Sequence, residues 1–173
     1  MRVLVACAES GTVADALHQL GHDVMSCDLK HPSQTRMGVP HYQGDVMDVI
    51  DDGWDAMLAF PECRLLAKSG LRWLYQGGKR WNEDGSENPR NEQRWADMIE
   101  AAAFFRKLLD APIPVIAVEN SDMHPYAVRE IGENATQIVQ PYWFGVKETK
   151  ALHLWIKGTR KRLVATDFIE PPE

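Results

Sequence analysis

The chain has 173 residues, of which 45% are hydrophobic and 25% are charged, and its formal net charge at pH 7 is −6. This composition is typical of one globular domain with enough apolar residues to form a core, and it excludes a disordered or collagen-like chain. No apolar run approaches the roughly 20 residues that span a membrane, so we expect no membrane partner.

Charge is unevenly distributed along the sequence. Residues 1–63 contain three Lys/Arg and ten Asp/Glu, whereas residues 64–81 contain five basic residues and no acidic one. The overall excess of acid argues against a protein that coats nucleic acid, but the second segment predicts a local basic surface.

The first elements in chain order are a strand, a turn, a helix and a second strand. A buried-strand pattern at 3–6 is followed by Ser10-Gly11 and by apolar residues at helical spacing up to Gly21. A second strand pattern at 22–27 ends at Asp28. A strand, a glycine turn, a helix and a strand that ends in an acid form the opening of a Rossmann-type unit.

The rest of the chain continues the alternation of strands and helices. After a polar loop (30–41), the expected elements are a short helix to about residue 52, a strand (54–60), a long loop (76–92), a helix (94–109), a strand (114–119), a helix capped by Ser121 or Asp122, and late strands (137–140, 152–156 and 163–165). We therefore expect one α/β domain over residues 1–173, with a mostly parallel sheet, helices on both faces and a mobile loop at 76–92.

Ligands of such sheets bind beside the carboxyl ends of the strands. The residues that follow the predicted strands are Ser10, Gly11, Asp28, Asp45, 61–64 and Glu119–Asn120. Asp28 is placed either to bind a ribose diol or to cap a turn. Asp45 is placed to accept from an adenine amino group or, as its position alone favours, to cap the next helix.

Cys63 and Glu119 each follow a buried-strand pattern. A thiol and a proton-donating carboxyl group are the pair needed to attack carbon 6 of a pyrimidine, because the thiolate adds to the ring while the acid protonates N3. Partial burial would raise the pKa of Glu119 and keep its proton near neutral pH. The alternatives are a small buried hydrophobe for Cys63 and a carboxylate satisfied by a helix start for Glu119.

These residues, taken in order, resemble the motifs of the DNA (cytosine-5) methyltransferases, and they look closest to small phage-encoded homologues with a single domain. The similar segments, which cover roughly residues 1–160, are Cys7 to Gly11, Cys27 to Leu29, Gly44 to Val46, Asp55 to Cys63 with Ser69-Gly70, Val118 to Asn120, and 144–150 with 155–158.

The resemblance implies a Rossmann-like domain that uses S-adenosyl-L-methionine, in the host bacterial cytoplasm if the protein is phage-encoded. The implied cofactor-binding residues are Cys7, Ser10, Gly11, Asp28, Asp45, Val46 and Pro61. The implied catalytic residues are Cys63 as nucleophile, Glu119 as proton donor to N3, and Asn120, which positions this region. The resemblance and the basic segment together predict substrate contacts at Arg64, Ser69, Arg72, Trp73 and Lys150.

Three features depart from the family pattern. Glu62 replaces the proline that normally precedes the nucleophile, and a carboxylate beside a cysteine disfavours the thiolate. Glu148 and Lys150 stand where glutamine and arginine are usual. No segment between the late strands is long enough to be a target-recognition domain.

Methylation of a base inside a duplex requires that the base be flipped into a pocket. The basic segment combines five cations with aromatic rings: Arg64, Lys68, Arg72, Lys79 and Arg80 with Trp73, Tyr75 and Trp81. Such a combination suits phosphates and an unstacked base. The alternative is a solvated loop whose aromatic rings pack on the core. A second basic run, 157–162, is expected at an exposed strand edge.

The cysteines and histidines indicate neither a disulfide framework nor a metal site. The three cysteines have no close spacing, and the six histidines form no pair at ligand spacing with cysteine or acid. The N-terminus has no signal-peptide pattern. We therefore expect a protein of a reducing cytoplasm that binds no metal.

The sequence leaves three hypotheses. The first is an S-adenosylmethionine-dependent enzyme that methylates carbon 5 of cytosine, in DNA or in a free nucleotide, through a cysteine adduct. The second is a catalytically weak or inactive protein of the same fold that binds a nucleotide or a host defence component. The third is a catalytic subunit whose partner protein supplies target recognition.

Overall fold

The computed structural model describes residues 1–31 and 38–171. Within these residues one sheet contains the strands β1 (Arg2–Ala6), β2 (Asp23–Asp28), β3 (His41–Gln43), β4 (Ala56–Ala59), β5 (Val115–Asn120), β6 (Gln137–Val139) and β7 (Leu152–Lys157). The helices are α1 (Thr12–Gln19), α2 (Lys68–Leu71), α3 (Glu92–Leu109) and α4 (Pro125–Ile131), and short 3₁₀ turns occupy Val46–Asp48, Arg72–Leu74, Gln76–Gly78 and Pro141–Trp143. No helix of the described part is long and apolar enough to cross a bilayer.

The strand order in the sheet is β3–β2–β1–β4–β5–β7–β6. The five strands from β3 to β5 are parallel, and β7 runs antiparallel between β5 and β6. From β1 the chain first adds β2 and β3 on one side of the sheet, and it then returns to add β4 and β5 on the other side. The strand order therefore reverses between β1 and β4. In open α/β sheets the carboxyl ends of the strands at such a reversal form a ligand-binding crevice.

Both faces of the sheet are covered, which explains why its central strands are continuously apolar. In β1, Val3 and Val5 belong to a core cluster with Ala14 of α1, whereas Leu4 and Ala6 belong to a larger cluster with α3 and α4. All four strand residues are at most 3% exposed. The predicted arrangement of helices on both faces is therefore observed.

Helix α3 ends at Leu109 as predicted, but it begins at Glu92, two residues before the predicted start at Arg94. The Asn91 side chain accepts a hydrogen bond from the Arg94 amide at 3.2 Å, which satisfies one free N–H group of the first turn. The buried face consists of Met98, Ala102, Phe105, Leu108 and Leu109. The Phe105 ring packs edge-on against Trp155 of β7, with 5.0 Å between ring centroids.

The start of α4 differs from its prediction. Ser121 and Asp122 do not cap this helix; His124 does, because its Nδ1 accepts from the Tyr126 amide at 3.3 Å. Pro125 occupies the first helical position, where its missing N–H group costs nothing.

Two strand predictions also need correction. Residues 163–165 form no strand, because the main chain of Leu163 bonds the side chain of Gln137 instead of a neighbouring strand. The three-residue strand β3 was not predicted, since it is too short to show apolar alternation. Part of the predicted 30–41 loop, residues 32–37, lies outside the described residues.

The segment 76–92 contains no strand of its own but is hydrogen-bonded to its surroundings. The Gln76 amide donates to the Pro89 carbonyl at 2.9 Å, and the Asn91 amide donates to the Leu74 carbonyl at 2.9 Å. Isolated bridges pair Tyr75 with Arg90 and Trp81 with Glu87. The mobility of this segment stays a prediction.

Candidate functional site

A cavity of about 840 Å³ lies at the carboxyl edge of the parallel strands. Its wall is formed by the residues that follow β1, β2, β3 and β4, and by one side of α3. The cavity thus occupies the predicted edge of the sheet, and its volume falls in the range of small-molecule and cofactor sites.

Five of the seven residues predicted to bind the cofactor lie in this wall: Cys7, Asp28, Asp45, Val46 and Pro61. Ser10 and Gly11 belong to the loop that follows β1 but lie outside the wall. Gly11 has a φ of 68° and directly precedes α1, so it supplies the left-handed turn that leads from this loop into the helix.

Cys7 has an unusual backbone conformation at the end of β1. Its φ of 55° makes it the one non-glycine residue of the described chain with a positive φ. Such a conformation costs about 1–3 kcal/mol and is found preferentially at functional sites. Here it turns the chain away from the sheet next to the cavity, while the Ala8 amide still bonds the Cys27 carbonyl at 3.2 Å.

Asp28 and Asp45 both line the cavity and both stabilise local turns. The Asp28 carboxylate accepts from the Lys30 amide at 2.9 Å. The Asp45 carboxylate accepts from the Met47 amide at 3.0 Å and caps the 3₁₀ turn. The capping roles considered for these residues are therefore present, and both side chains are held by local bonds at the cavity wall.

The α3 wall of the cavity was not predicted from the sequence. It consists of Asp97, Glu100, Ala101 and Phe104, which are spaced as i, i+3, i+4 and i+7 and therefore share one side of the helix. The apolar spacing in the sequence of α3 marks only its core-facing side. This second, mixed polar and apolar stripe was the signal available for the cavity-facing side.

The cavity wall is strongly acidic. It contains six carboxylates and one ammonium group: Glu9, Asp28, Asp45, Glu62, Asp97 and Glu100 against Lys30. Lys30 lies 3.0 Å from Glu9, and this hydrogen bond raises the pKa of the ammonium group. A wall with this balance favours a ligand that carries positive charge.

Two thiols in the wall are held neutral. Burial, together with the charges of Asp28 and Asp45, raises the pKa of Cys7 to about 12 and that of Cys27 to about 11. The Cys27 Sγ lies 3.6 Å from the Gly44 carbonyl, to which it donates. These cysteines therefore act as small apolar wall residues rather than as nucleophiles.

Cys63 is exposed, in contrast to the other two cysteines. It directly follows Pro61 and Glu62, which line the cavity. Its carbonyl accepts from the amides of Leu66 and Ala67 at 2.9 and 2.7 Å, so a tight turn holds the backbone at this residue. The Glu62 carboxylate forms an ion pair with Arg64 at 2.9 Å.

The turn at Cys63 is also stabilised from α2 and α3. The Arg94 guanidinium donates to the Gly70 carbonyl at 2.7 Å and to the Arg64 carbonyl at 3.4 Å. Gly70 lies so close to this turn that a Cβ atom there would overlap the Arg64 carbonyl oxygen. Neither role was predicted, because both depend on contacts between segments distant in the sequence.

Glu119 and Asn120 end β5, the strand next to β4. Asn120 is 1% exposed, and its side-chain amide donates to the Pro61 carbonyl at 3.0 Å. Glu119 is half-buried, and burial raises the pKa of its carboxyl group, as predicted, while the positive charge of Lys150 acts in the opposite direction. The strand end that carries Glu119 is thereby bonded to the segment that carries Cys63. None of the three predicted catalytic residues lies in the cavity wall itself.

The predicted substrate contacts form two groups. Arg64, Ser69, Arg72 and Trp73 are exposed on the segment that follows Cys63. Lys150 is exposed in the segment just before β7, and it lies near enough to Glu119 for its charge to lower the pKa of that carboxyl group. In the first group, the Arg72 guanidinium lies 4.7 Å from the centre of the Trp73 ring. Across residues 1–31 and 38–171, no cluster of three His, Cys, Asp or Glu side chains has the geometry of a metal site.

No protein-family model matches the sequence, and no curated protein matches it. Solved structures do resemble it. A proposed DNA modification methyltransferase encoded within an E. coli prophage aligns with a TM-score of 0.51 and 14% identity, over 90% of this chain and 46% of that one. The S. pombe methyltransferase Dnmt2 aligns over 94% of this chain and 51% of its own, with 11% identity and a TM-score of 0.46, which is too low to carry an argument.

The chain thus spans about half the length of the solved structures that it matches. At 14% identity the likeness to the prophage protein concerns the fold alone. The overall fold, which in this chain is a single mixed α/β sheet of seven strands, is therefore similar to that of a protein described as a methyltransferase.

Proposed function

We propose that this protein is an S-adenosylmethionine-dependent methyltransferase that acts on carbon 5 of cytosine. The observation that carries the proposal is the hydrogen bond from Asn120 to the Pro61 carbonyl, 3.0 Å long. It joins the segment that holds an exposed thiol to the strand that holds a carboxyl group of raised pKa, beside a cavity of cofactor size. The fold shared with the prophage protein supports the same proposal.

The cavity fits the cofactor in charge and in size. S-adenosylmethionine carries a sulfonium and an ammonium group against one carboxylate, and the wall carries six carboxylates against one ammonium. In this proposal the Asp28 carboxylate accepts from the ribose hydroxyls, and Asp45 accepts from the adenine amino group. The apolar side chains of Val46, Pro61 and Phe104 also line the cavity and would hold the adenine ring.

The protein's own residues prepare the cytosine for attack. The Cys63 sulfur, as a thiolate, adds to carbon 6 and forms a carbon–sulfur bond. The Glu119 carboxyl group gives its proton to N3, so the ring does not accumulate negative charge, and carbon 5 becomes nucleophilic. The bound cofactor supplies an electrophilic methyl group.

The reaction is completed by loss of the proton from carbon 5. The electron pair of that carbon–hydrogen bond re-forms the double bond between carbons 5 and 6 and expels the Cys63 thiolate. The proton on N3 returns to Glu119. The products are 5-methylcytosine, the demethylated cofactor and the proton released from carbon 5, and the cysteine is regenerated.

Two further residues have positioning roles in this proposal. Asn120 fixes the segment before Cys63 through Pro61, and Arg94 fixes the segment after it through the carbonyls of Arg64 and Gly70. The cysteine backbone is therefore supported on both sides, which positions its sulfur for addition to a ring carbon.

The test is transfer of a labelled methyl group to cytosine-containing DNA and to cytosine nucleotides. We expect Cys63→Ala and Glu119→Gln to abolish transfer without weakening cofactor binding measured by calorimetry. Glu130→Gln, at an exposed position of α4, is the matched control for loss of a carboxylate and should keep full activity. Transfer that survives Cys63→Ala would rule out the cysteine adduct. Nucleotide binding without cofactor binding or turnover would support a binding protein instead.

A further inference from the structure

Two exposed tryptophans on the segment after Cys63 are each stacked on a neighbouring arginine. Trp73 is 49% exposed and Trp81 is 53% exposed. The guanidinium of Arg72 lies 4.7 Å from the Trp73 ring centre, and that of Arg80 lies 4.9 Å from the Trp81 ring centre. We call these four residues the Trp–Arg surface. Aromatic rings combined with guanidinium groups are what single-stranded nucleic-acid binders use to stack bases.

The Trp73 ring is held against the chain rather than free in solvent. A Cβ atom on Gly78 would come within 3.1 Å of this ring, so the glycine backbone packs directly on it. Gly78 also has a φ of 76°, a conformation that side chains rarely adopt. A ring ordered before binding loses little entropy when a base stacks on it.

The second ring is fixed through its arginine. Arg80 forms an ion pair with Glu87 at 2.8 Å and donates to the Tyr126 hydroxyl of α4 at 3.1 Å. Trp81 and Glu87 also form a β-bridge. The Trp–Arg surface is therefore attached to the body of the protein on both sides of Gly78.

Free positive charge lies next to the rings. Arg64, Lys68 and Arg80 are neutralised by ion pairs with Glu62, Asp122 and Glu87. Within residues 1–31 and 38–171, neither Arg72 nor Lys79 takes part in an ion pair, and both are exposed. These two cations are thus available to phosphate groups of a strand whose bases stack on Trp73 and Trp81.

The surroundings of the surface disfavour a duplex. Reading a groove requires a helix or a two-stranded ribbon that enters it. The helix here, α2, is four residues long, and the turn beyond Trp81 carries Glu83 and Asp84, which repel the densely spaced phosphates of a duplex most strongly. The second basic run, 157–162, follows the end of β7 that pairs with the start of β5, so it lies at the opposite edge of the sheet.

The surface is close to the proposed nucleophile. Gly70 packs on the Arg64 carbonyl, and the 3₁₀ turn that carries Arg72 and Trp73 begins two residues later. Arg94 bonds the carbonyls of both Gly70 and Arg64. A strand stacked on Trp73 is therefore next to the turn that holds Cys63.

We propose that the Trp–Arg surface binds an unpaired polynucleotide strand, so that the substrate is single-stranded nucleic acid rather than a duplex or a free nucleotide. This inference names the substrate class of the proposed methyltransferase and rests on that function. Stacking on the two rings presents the base directly, because an unpaired cytosine needs no flipping out of a duplex.

The test measures binding without cofactor and therefore without chemistry. A fluorescein-labelled cytosine-containing oligodeoxynucleotide of 12 residues, its duplex and dCMP are titrated with the full chain, and binding is followed by anisotropy or, for dCMP, by calorimetry. We expect the single strand to bind at least tenfold more tightly than the duplex or dCMP. Trp73→Ala and Trp81→Ala should each weaken single-strand binding by about tenfold, and Arg72→Gln should reduce its dependence on salt.

Matched controls lie away from the surface. Phe168→Ala removes another exposed ring, and Arg160→Gln removes another exposed cation; neither should change the affinity for the single strand. Conservative replacements, Trp73→Phe and Trp81→Phe, should retain most of it. Equal or tighter binding of the duplex or of dCMP, or equal losses in the control variants, would overturn the inference.

The outcomes separate this inference from the proposed function. Single-strand binding that depends on both tryptophans, combined with methyl transfer that survives Cys63→Ala, would support the surface and exclude the cysteine mechanism. Methyl transfer to duplex DNA that depends on Cys63 but is not reduced in the tryptophan variants would support the cysteine mechanism. It would exclude the Trp–Arg surface as the site that binds the substrate.

Discussion

The side chain of Asn120 donates a hydrogen bond to the main-chain carbonyl of Pro61 across the ends of β5 and β4, at 3.0 Å. Its own carbonyl oxygen accepts from the Ser121 amide at 3.0 Å, so both ends of this buried amide are used. The end of β5, which carries Glu119, is thus bonded through one side chain to the segment after β4, which carries Cys63. Asn120 is therefore the most informative position to change.

We expect Asn120→Ala to lower both stability and activity. The change leaves the buried Pro61 carbonyl without its donor, at a cost of about 1–3 kcal/mol in the free energy of unfolding. The cysteine segment also loses its tie to β5, so kcat for methyl transfer should fall more than cofactor affinity. Urea unfolding and transfer assays measure the two effects. Asn134→Ala, at an exposed asparagine, is the control, and equal behaviour of the two variants would contradict the role assigned to Asn120.

Gly70→Ala tests the close packing of Gly70 against the turn that holds Cys63. The added Cβ overlaps the Arg64 carbonyl oxygen, so the turn must shift, and overpacking of this kind costs about 1–3 kcal/mol. We expect kcat to fall at unchanged cofactor affinity. Gly85→Ala serves as the comparison, because its φ of 83° is strained but nothing lies near the new atom. A Gly70→Ala enzyme with normal kcat would show that the turn tolerates displacement.

Arg94→Lys tests the bridge between the Arg64 and Gly70 carbonyls. Both carbonyls accept from one nitrogen of the guanidinium, Nη2, and the shorter lysine side chain does not place its ammonium group at that position, so both hydrogen bonds weaken although the charge is kept. We expect a several-fold loss of kcat and little change in cofactor binding. Lys107→Gln, at an exposed position of the same helix, should leave both unchanged. A larger effect on cofactor affinity than on kcat would place the role of Arg94 in the cavity instead.

The charge of Lys150 should determine the upper pH limit of the reaction. Burial raises the pKa of Glu119 and Lys150 lowers it. The proton-donating form is present below this pKa, so the rate falls as pH rises through it. Lys150→Gln removes the positive charge that lowers the pKa of Glu119, so the fall in rate should move to higher pH. This shift is expected whether or not the maximum rate also changes. The normalised pH profile is the measurement, Lys147→Gln is the control, and an unmoved or acid-shifted profile would contradict the assignment.

The raised pKa of Glu119 also predicts how the stability of the protein depends on pH. Because the pKa of Glu119 is higher in the folded protein than its ordinary value of 4.5, the folded state binds this proton more tightly. The contribution of the protonated Glu119 to the free energy of unfolding is complete below pH 4.5 and is lost as pH rises through the pKa of this group in the folded protein. Glu119→Gln should remove this decline from the pH dependence of the unfolding free energy, as urea titrations at several pH values would measure. An unchanged dependence in the variant would show that other groups cause it.

Much of the fold follows from local sequence patterns. The parallel strands β1, β2, β4 and β5 contain short apolar runs, of which β2 and β5 end in polar residues, and α3 has a regular apolar face with a capping asparagine. These signals are local, so a single sequence contains them. The reversed direction of β7 is set by pairing with two strands, which no local pattern shows.

The candidate site was partly predictable for the same reason. Asp28 directly follows a strand pattern and Asp45 precedes the predicted short helix, and both lie at the cavity. The acidic side of α3 and the guanidinium bridge of Arg94 were missed, because they depend on which side of a helix faces a cavity and on contacts between distant segments. His124 rather than Ser121 caps α4 because the position of Pro125 determines where the helix begins.

The different environments of the three cysteines have a practical consequence. Two of them are shielded and remain protonated up to strongly alkaline pH, with pKa values of about 12 and 11, whereas Cys63 is open to solvent. A maleimide dye should therefore attach to the unmodified wild-type chain at one position, the sulfur of Cys63 that is proposed to react with the base. Slower labelling in the presence of an oligonucleotide would then report occupancy of the site directly, without any engineered residue.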